Sequence, residues 1–302
     1  NGGVKVLSGP YGTVLEERAK QLEVPDLSKS VNVTQGGIYR AETLAIARGY
    51  LDKGANVATT NTFGTRGLLR AAQPELYRQV VTEHVGLVRQ ALEGFHNRNL
   101  VVSLGPYGDC YKPEDAPSDE KDARDFHSQQ LAVVKDLLLS AGIDAVVFET
   151  LCTGREAIGA TMAAKELKIP VIPSFVVDRD AKLFSGEPLV EVLRQIDDIT
   201  GSYPLGFSIN CCPVSGAFQA IADSNGKRDR LIMAYPNSSE RDPRELEEID
   251  GVVHLHDNGS TAQQLVELVR RNASIKIIGG CCGFDHDDIG VISAAVRTHL
   301  SF

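Results

Sequence analysis

The stretch "SQQLAVVKDLLLSAGIDAVVFET" (128–150) joins two patterns. In its first part apolar residues recur every three or four positions, the period of a helix that buries one face. After Gly142 that period stops. "DAVVFET" (144–150) is short, apolar almost throughout and rich in β-branched residues, which reads as a strand covered on both faces. A helix followed by such a strand is the repeating unit of a parallel α/β fold. The alternation continues in both directions. Seven further runs of the strand type occur: "VKVLS" (4–8), "NVATTNTF" (56–63), "LVVSLGP" (100–106), "PVIPSF" (170–175), "PLGFSIN" (204–210), "RLIMAYPN" (230–237) and "IKIIGG" (275–280). Helical patterns such as "AETLAIARGYLDKG" (41–54) and "STAQQLVELVRRN" (260–272) lie between them, the latter opening on a Ser/Thr cap.

Eight units in about 300 residues predict a (β/α)8 TIM barrel, one domain over residues 1–302. The runner-up is a doubly wound open sheet. It more often carries a G-x-G-x-x-G loop after its first strand, and "SGPYGT" (8–13) does not match. No linker or low-complexity segment divides the chain. The acidic, Pro-containing stretch 107–125 reads as a loop after the third strand, with the makings of a lid. Two internal echoes agree with a barrel. "GPYG" follows predicted strands at 9–12 and at 105–108. "KGANVATTNT" (53–62) aligns with "AGIDAVVFET" (141–150), pairing Asn61 with Glu149 and Thr62 with Thr150.

Composition excludes several classes. A formal net charge of −9 argues against a nucleic-acid partner. No apolar run of about 18 residues suggests a membrane span, and "NGGVKVLSGP" lacks the plan of a signal peptide. Six cysteines in 302 residues are too few for a disulfide scaffold, and four of them form adjacent pairs. That usage points to a reducing, cytoplasmic setting with free or metal-bound thiols.

The pairs matter most. Cys211–Cys212 closes the sixth strand and Cys281–Cys282 the eighth. In a barrel both ends belong to the face that carries the active site. A straight strand points neighbouring side chains to opposite faces. Gly279, Gly280 and Gly283 let the chain turn so that Cys281 and Cys282 both face inward. Several thiolates at one mouth suit zinc, and three protein ligands leave a position open for chemistry. These residues alone do not separate Cys211 from Cys212. A redox pair would more often read C-x-x-C. His254 and His256 have strand-like spacing, but the paired cysteines already offer enough ligands, and thiolates suit zinc. His286 reads as the start of the last helix, and Cys110 and Cys152 as packing residues.

The chain resembles the homocysteine S-methyltransferase family of zinc-dependent barrels over nearly its whole length. The resemblance rests on "SGPYGTVLEE" (8–17), "ANVATTNTF" (55–63), "LGPYG" (104–108), "AVVFET" (145–150), "INC" (209–211), "YPN" (235–237) and "GGCCG" (279–283). It implies that Cys211, Cys281 and Cys282 hold Zn2+, with Cys212 a neighbour. It implies a zinc-held thiol acceptor, most simply L-homocysteine giving methionine, attacking a methyl group on a cationic sulfur or nitrogen. Three cysteinates keep the bound sulfur electron-rich, and only the thiolate attacks. Glu149 is the expected partner of the acceptor's ammonium, as opposed to a rim carboxylate paired with Arg155. Asn61 and Thr62 are expected to add hydrogen bonds, Asn210 to contact substrate or fix its turn, and Tyr235 to approach the metal or the substrate. One departure stands out: Ser8 occupies the place of the family's Asp, which is expected to help bind that ammonium. The partners implied are a small-molecule thiol and a small onium donor, such as S-methylmethionine, S-adenosylmethionine or a betaine. Tyr11, Tyr107 and Tyr111 are candidate aromatic faces for that cation. The sequence does not decide between a monomer and a homo-oligomer. Alternatives are a relative acting on another thiol or with a corrinoid partner, and a non-catalytic zinc-binding or regulatory barrel. Zinc hydrolysis fits poorly, because hydrolytic zinc favours His and carboxylate ligands.

Overall fold

Strands β1 (Lys5–Val6), β2 (Val57–Thr59), β3 (Asn99–Leu104), β4 (Ala145–Leu151), β5 (Val171–Phe175), β6 (Phe207–Asn210), β7 (Leu231–Tyr235) and β8 (Ile277–Ile278) fall inside the eight predicted runs, with Asn99 and Leu151 the two residues beyond them. They belong to a computed structural model that describes residues 3–22, 37–224, 228–246 and 258–300. His254 and His256 lie outside the described residues. All the pairings are parallel, in the order β1-β8-β7-β6-β5-β4-β3-β2. A bridge between Leu7 and Val57 closes the ring. Ser8 N donates to Val57 O and Asn56 N to Val6 O, both at 2.8 Å. The result is the expected single-domain (β/α)8 barrel.

The strands are apolar throughout because both faces are covered. Leu7, Val57, Val101, Val147, Ile172, Met233 and Tyr235 pack together in the barrel interior. Their sequence neighbours, such as Val6, Ala58, Val102, Val146 and Ala234, point outward into a larger cluster shared with the helices. Period-two alternation thus divides one apolar run between two cores.

The helices meet expectation with one correction. Gly37–Asp52 and Asn258–Arg271 take up the predicted segments except for Lys53, Gly54 and Asn272 at their ends. The stretch 107–125 is not loop throughout: a helix predicted to begin at 128 begins at Glu120 and runs to Leu137. The Asp119 side chain accepts from Asp122 N, and Glu120 and Asp122 sit in the first turn. These acidic residues, read as loop composition, complement the helix's positive end. His286 does open the last helix, His286–His299, which is capped by an Asp285–Asp288 capping box. Among the described residues no helix is long and apolar enough to cross a membrane.

Candidate active site

The C-terminal ends of the strands enclose a cavity of about 290 Å³. Two glycines shape its β8 side. A Cβ at Gly280 would overlap the Phe284 ring, and Gly283 has φ +84. The turn they allow brings Cys281 and Cys282 to the same mouth as Cys211, which itself has φ 53 at the end of β6. The three Sγ atoms lie within 4.8 Å of one another. Cys281 Sγ is 3.1 Å from Cys211 Sγ, and Cys211 Sγ is 3.4 Å from Cys282 Sγ. These separations are far longer than the ~2.05 Å of a disulfide. They approach the edge of about 3.8 Å that four-coordinate zinc sets at about 2.3 Å from each sulfur. Hydrogen bonds from Cys211 and Cys281 hold the Cys282 thiol well below its ordinary value. Contacts with Cys211 and Cys282, and burial, push Cys281 well above it. One proton leaves readily and the next does not, because like charges this close oppose each other. A divalent cation removes that opposition, so the donor set fits a thiolate-bound metal. Cys212 points away into the core, fully buried, its thiol pushed up to about 12 by desolvation.

Glu149 lines the same cavity and is the only carboxylate among the described lining residues, which include no Lys, Arg or His. Tyr235 OH donates to Glu149 Oε1 at 3.2 Å. Burial raises the Glu149 carboxyl from 4.5 to about 7, against the hydrogen bond of Tyr235. Arg155 does not pair with it. Its guanidinium donates to Pro117 O at 2.6 Å and Pro113 O at 2.9 Å. With Arg66 Nε on Gly108 O at 3.1 Å and Tyr107 N on Glu156 Oε1 at 2.6 Å, it straps the loop after β3 over the cavity. That loop delivers Tyr111, whose hydroxyl lies 3.2 Å from Cys211 Sγ.

Residues 5–296 match the family model of the homocysteine S-methyltransferases. The chain belongs to that family. Membership makes it an enzyme of the thiol methyltransferase class. Homocysteine S-methyltransferase 2 of Zea mays is 27% identical, covering 93% of this chain and 86% of the maize protein. Homocysteine S-methyltransferase 2 of Saccharomyces cerevisiae is 23% identical, covering 98% of this chain and 95% of the yeast protein. The fold is shared with the metallated form of the homocysteine methyltransferase MmuM from Escherichia coli. That structure has a TM-score of 0.73 at 20% identity, covering 97% of this chain and 96% of the other.

Against the residues that the family resemblance singles out, the structure divides them. Ser8, Asn61, Glu149 and Tyr235 line the cavity, as do Tyr11 and Tyr111. Ser8 is nevertheless committed to the barrel seam, accepting from Thr59 N at 3.0 Å and meeting Thr59 Oγ1 at 3.0 Å. Thr62 and Asn210 are fully buried outside the lining. Thr62 donates to Ser103 O at 2.5 Å. Asn210 bonds Thr150 and Ser174. Tyr107 also misses the cavity: it packs edge-on to Phe126 and under Arg70. Tyr39, Phe63 and Ser103 are among the lining residues that sequence reasoning did not single out, and Cys110, read as a packing residue, lines the cavity as well. Ser103 did leave a signal, a lone hydroxyl at the mouth of an apolar strand. Tyr39 comes from the first turn of a helix, where nothing in the spacing marks it.

Proposed function

We propose that this protein is a zinc-dependent methyltransferase that carries a methyl group from a small onium donor to L-homocysteine, giving methionine. The observation that carries the reading is the trio Cys211, Cys281 and Cys282 at the mouth of a cavity in which Glu149 is the only carboxylate among the described residues. Zinc held by the three sulfurs would supply the charge that makes an incoming thiol a thiolate at neutral pH. The other steps belong to the chain. Glu149, oriented by Tyr235, receives the acceptor's ammonium. The first turn of helix Tyr11–Leu22 lines the cavity and carries no acidic side chain, so the positive end of that helix suits the acceptor's carboxylate. Tyr11, Tyr39, Phe63 and Tyr111 offer aromatic faces that attract an onium cation. Tyr111 and its loop exclude water, which favours direct displacement at the methyl carbon over hydrolysis. No protein nucleophile and no dedicated general base is required.

The test is zinc content and L-homocysteine binding on reduced protein, wild type against Cys281→Ala. One zinc per chain, absent from the variant, with a proton released as homocysteine binds, supports the reading; onium donors are then compared by methionine formed. Zinc without any response to homocysteine would move the acceptor to another thiol. Failure to bind zinc would remove the mechanism.

A further inference from the structure

Thr150 has φ 59, a left-handed conformation that β-branched residues rarely take because Cβ crowds the backbone. It sits in a bulge. Phe148 pairs with Pro173 and Leu151 with Phe175, so Glu149 and Thr150 together stand opposite the single residue Ser174. Bulges beside active sites re-aim side chains and remove ladder hydrogen bonds. Here one side chain replaces what the ladder loses. Asn210 Oδ1 accepts from Thr150 N at 3.0 Å and from Ser174 Oγ at 2.6 Å, and Asn210 Nδ2 donates to Thr150 Oγ1 at 2.8 Å. Asn210, Ser174 and Thr150 are all buried, Asn210 fully so. The amide therefore ties the mouths of β4, β5 and β6 together directly behind Glu149, and it stands outside the cavity lining.

We propose that Asn210 is a positioning residue: by holding Thr150 in its left-handed conformation it sets where the Glu149 carboxylate stands, and with it the affinity for the acceptor's ammonium. The inference rests on the reading of Glu149 as the ammonium's partner. It separates Asn210 from its neighbour Cys211, since the bonds of its side chain run to β4 and β5 and none runs to a sulfur.

The test compares wild type, Asn210→Ala and Asn210→Ala/Thr150→Gly, each loaded with zinc, by zinc per chain and by calorimetric titration with L-homocysteine. Asn210→Ala is expected to keep one zinc and to bind homocysteine about tenfold or more weakly. Adding Thr150→Gly is expected to recover affinity to within about threefold of wild type, because glycine takes positive φ without strain. Wild-type affinity in Asn210→Ala, a loss that Thr150→Gly leaves untouched, or a loss of zinc would each overturn the proposal. If Asn210→Ala does not fold, cooperative unfolding regained in the double variant supports it, and two unfolded proteins overturn it. If wild type takes up zinc but not homocysteine, the functional reading fails on its own. The position of the Glu149 carboxylate in crystals of wild type and Asn210→Ala then decides: displaced supports the proposal, unmoved overturns it.

Discussion

On the proposed function, Glu149 and not Ser8 neutralises the acceptor's ammonium. Ser8 is neutral and bonded across the barrel seam, so Glu149 carries the charge alone. Ser8→Asp keeps an acceptor for Thr59 N and adds a second charge. Since a charge-assisted hydrogen bond contributes roughly 1.5–3 kcal/mol, homocysteine is expected to bind about tenfold to a hundredfold more tightly, read by calorimetry. Glu149 sets the pH dependence. Its carboxyl is raised to about 7 by burial, so it is protonated below that pH and ionised above it. Acceptor affinity is therefore expected to rise as pH climbs through about 7, and Glu149→Gln removes that step. The same shift works against stability. The unfolded carboxyl loses its proton near 4.5, and the folded one holds it to about 7, so folding free energy is lost as pH rises across that window. At about 1.36 kcal/mol per pH unit the cost is at most about 3.4 kcal/mol, and less in practice because the Glu149 side chain is only part-buried. In zinc-free protein at pH 8, Glu149→Gln should melt higher than wild type, and once loaded with zinc it should bind homocysteine at least about tenfold more weakly. A lower melting point would contradict this account.

At the scale of elements, the loop after β3 and the helix behind it show why composition misleads at boundaries. Acidic residues at 114–125 resemble a solvated loop, yet Asp119 caps a helix that starts at Glu120. Asp119→Ala should lower stability by about 1 kcal/mol in urea titrations, the usual value of a cap. The loop itself is held by Arg155, Arg66 and Glu156. Arg155→Ala leaves Pro113 O and Pro117 O without that donor. Amide hydrogen exchange in 108–119 should quicken, while the barrel strands keep their protection. Uniform exchange across both would show that the strap does not act locally. Helix periods, strand lengths and caps are local properties, which is why the eight strand runs were legible. The slip in β4 was not, because a bulge is defined only against its partner strand.

The whole molecule links metal to stability. A cation that binds the folded trio and not the unfolded chain stabilises by mass action, about 2.7 kcal/mol at a hundredfold excess over its dissociation constant. Zinc should raise the melting temperature, a chelator should reverse the rise, and Cys281→Ala should show neither effect. The sequence by itself determined the barrel, because eight doubly covered strands with helices between them have few other ways to bury both faces. It also determined which ends carry chemistry: the polar residues Glu149, Cys211 and Cys281–Cys282 interrupt apolar runs at their mouths. The tertiary structure alone decided the rest. Cys211 could be told from Cys212 only once the turn at φ 53 sent one sulfur to the trio and the other into the core. Arg155, next to Glu149 on any rim drawn from sequence, was freed from it by the loop it straps. Asn210 became a clamp, and Ser8 a seam bond, because their partners lie 60 and 51 residues away and are brought near only when the ring closes. Local pattern records what each residue does to its own segment; distant partners are chosen by closure, and they fix what each site residue can do.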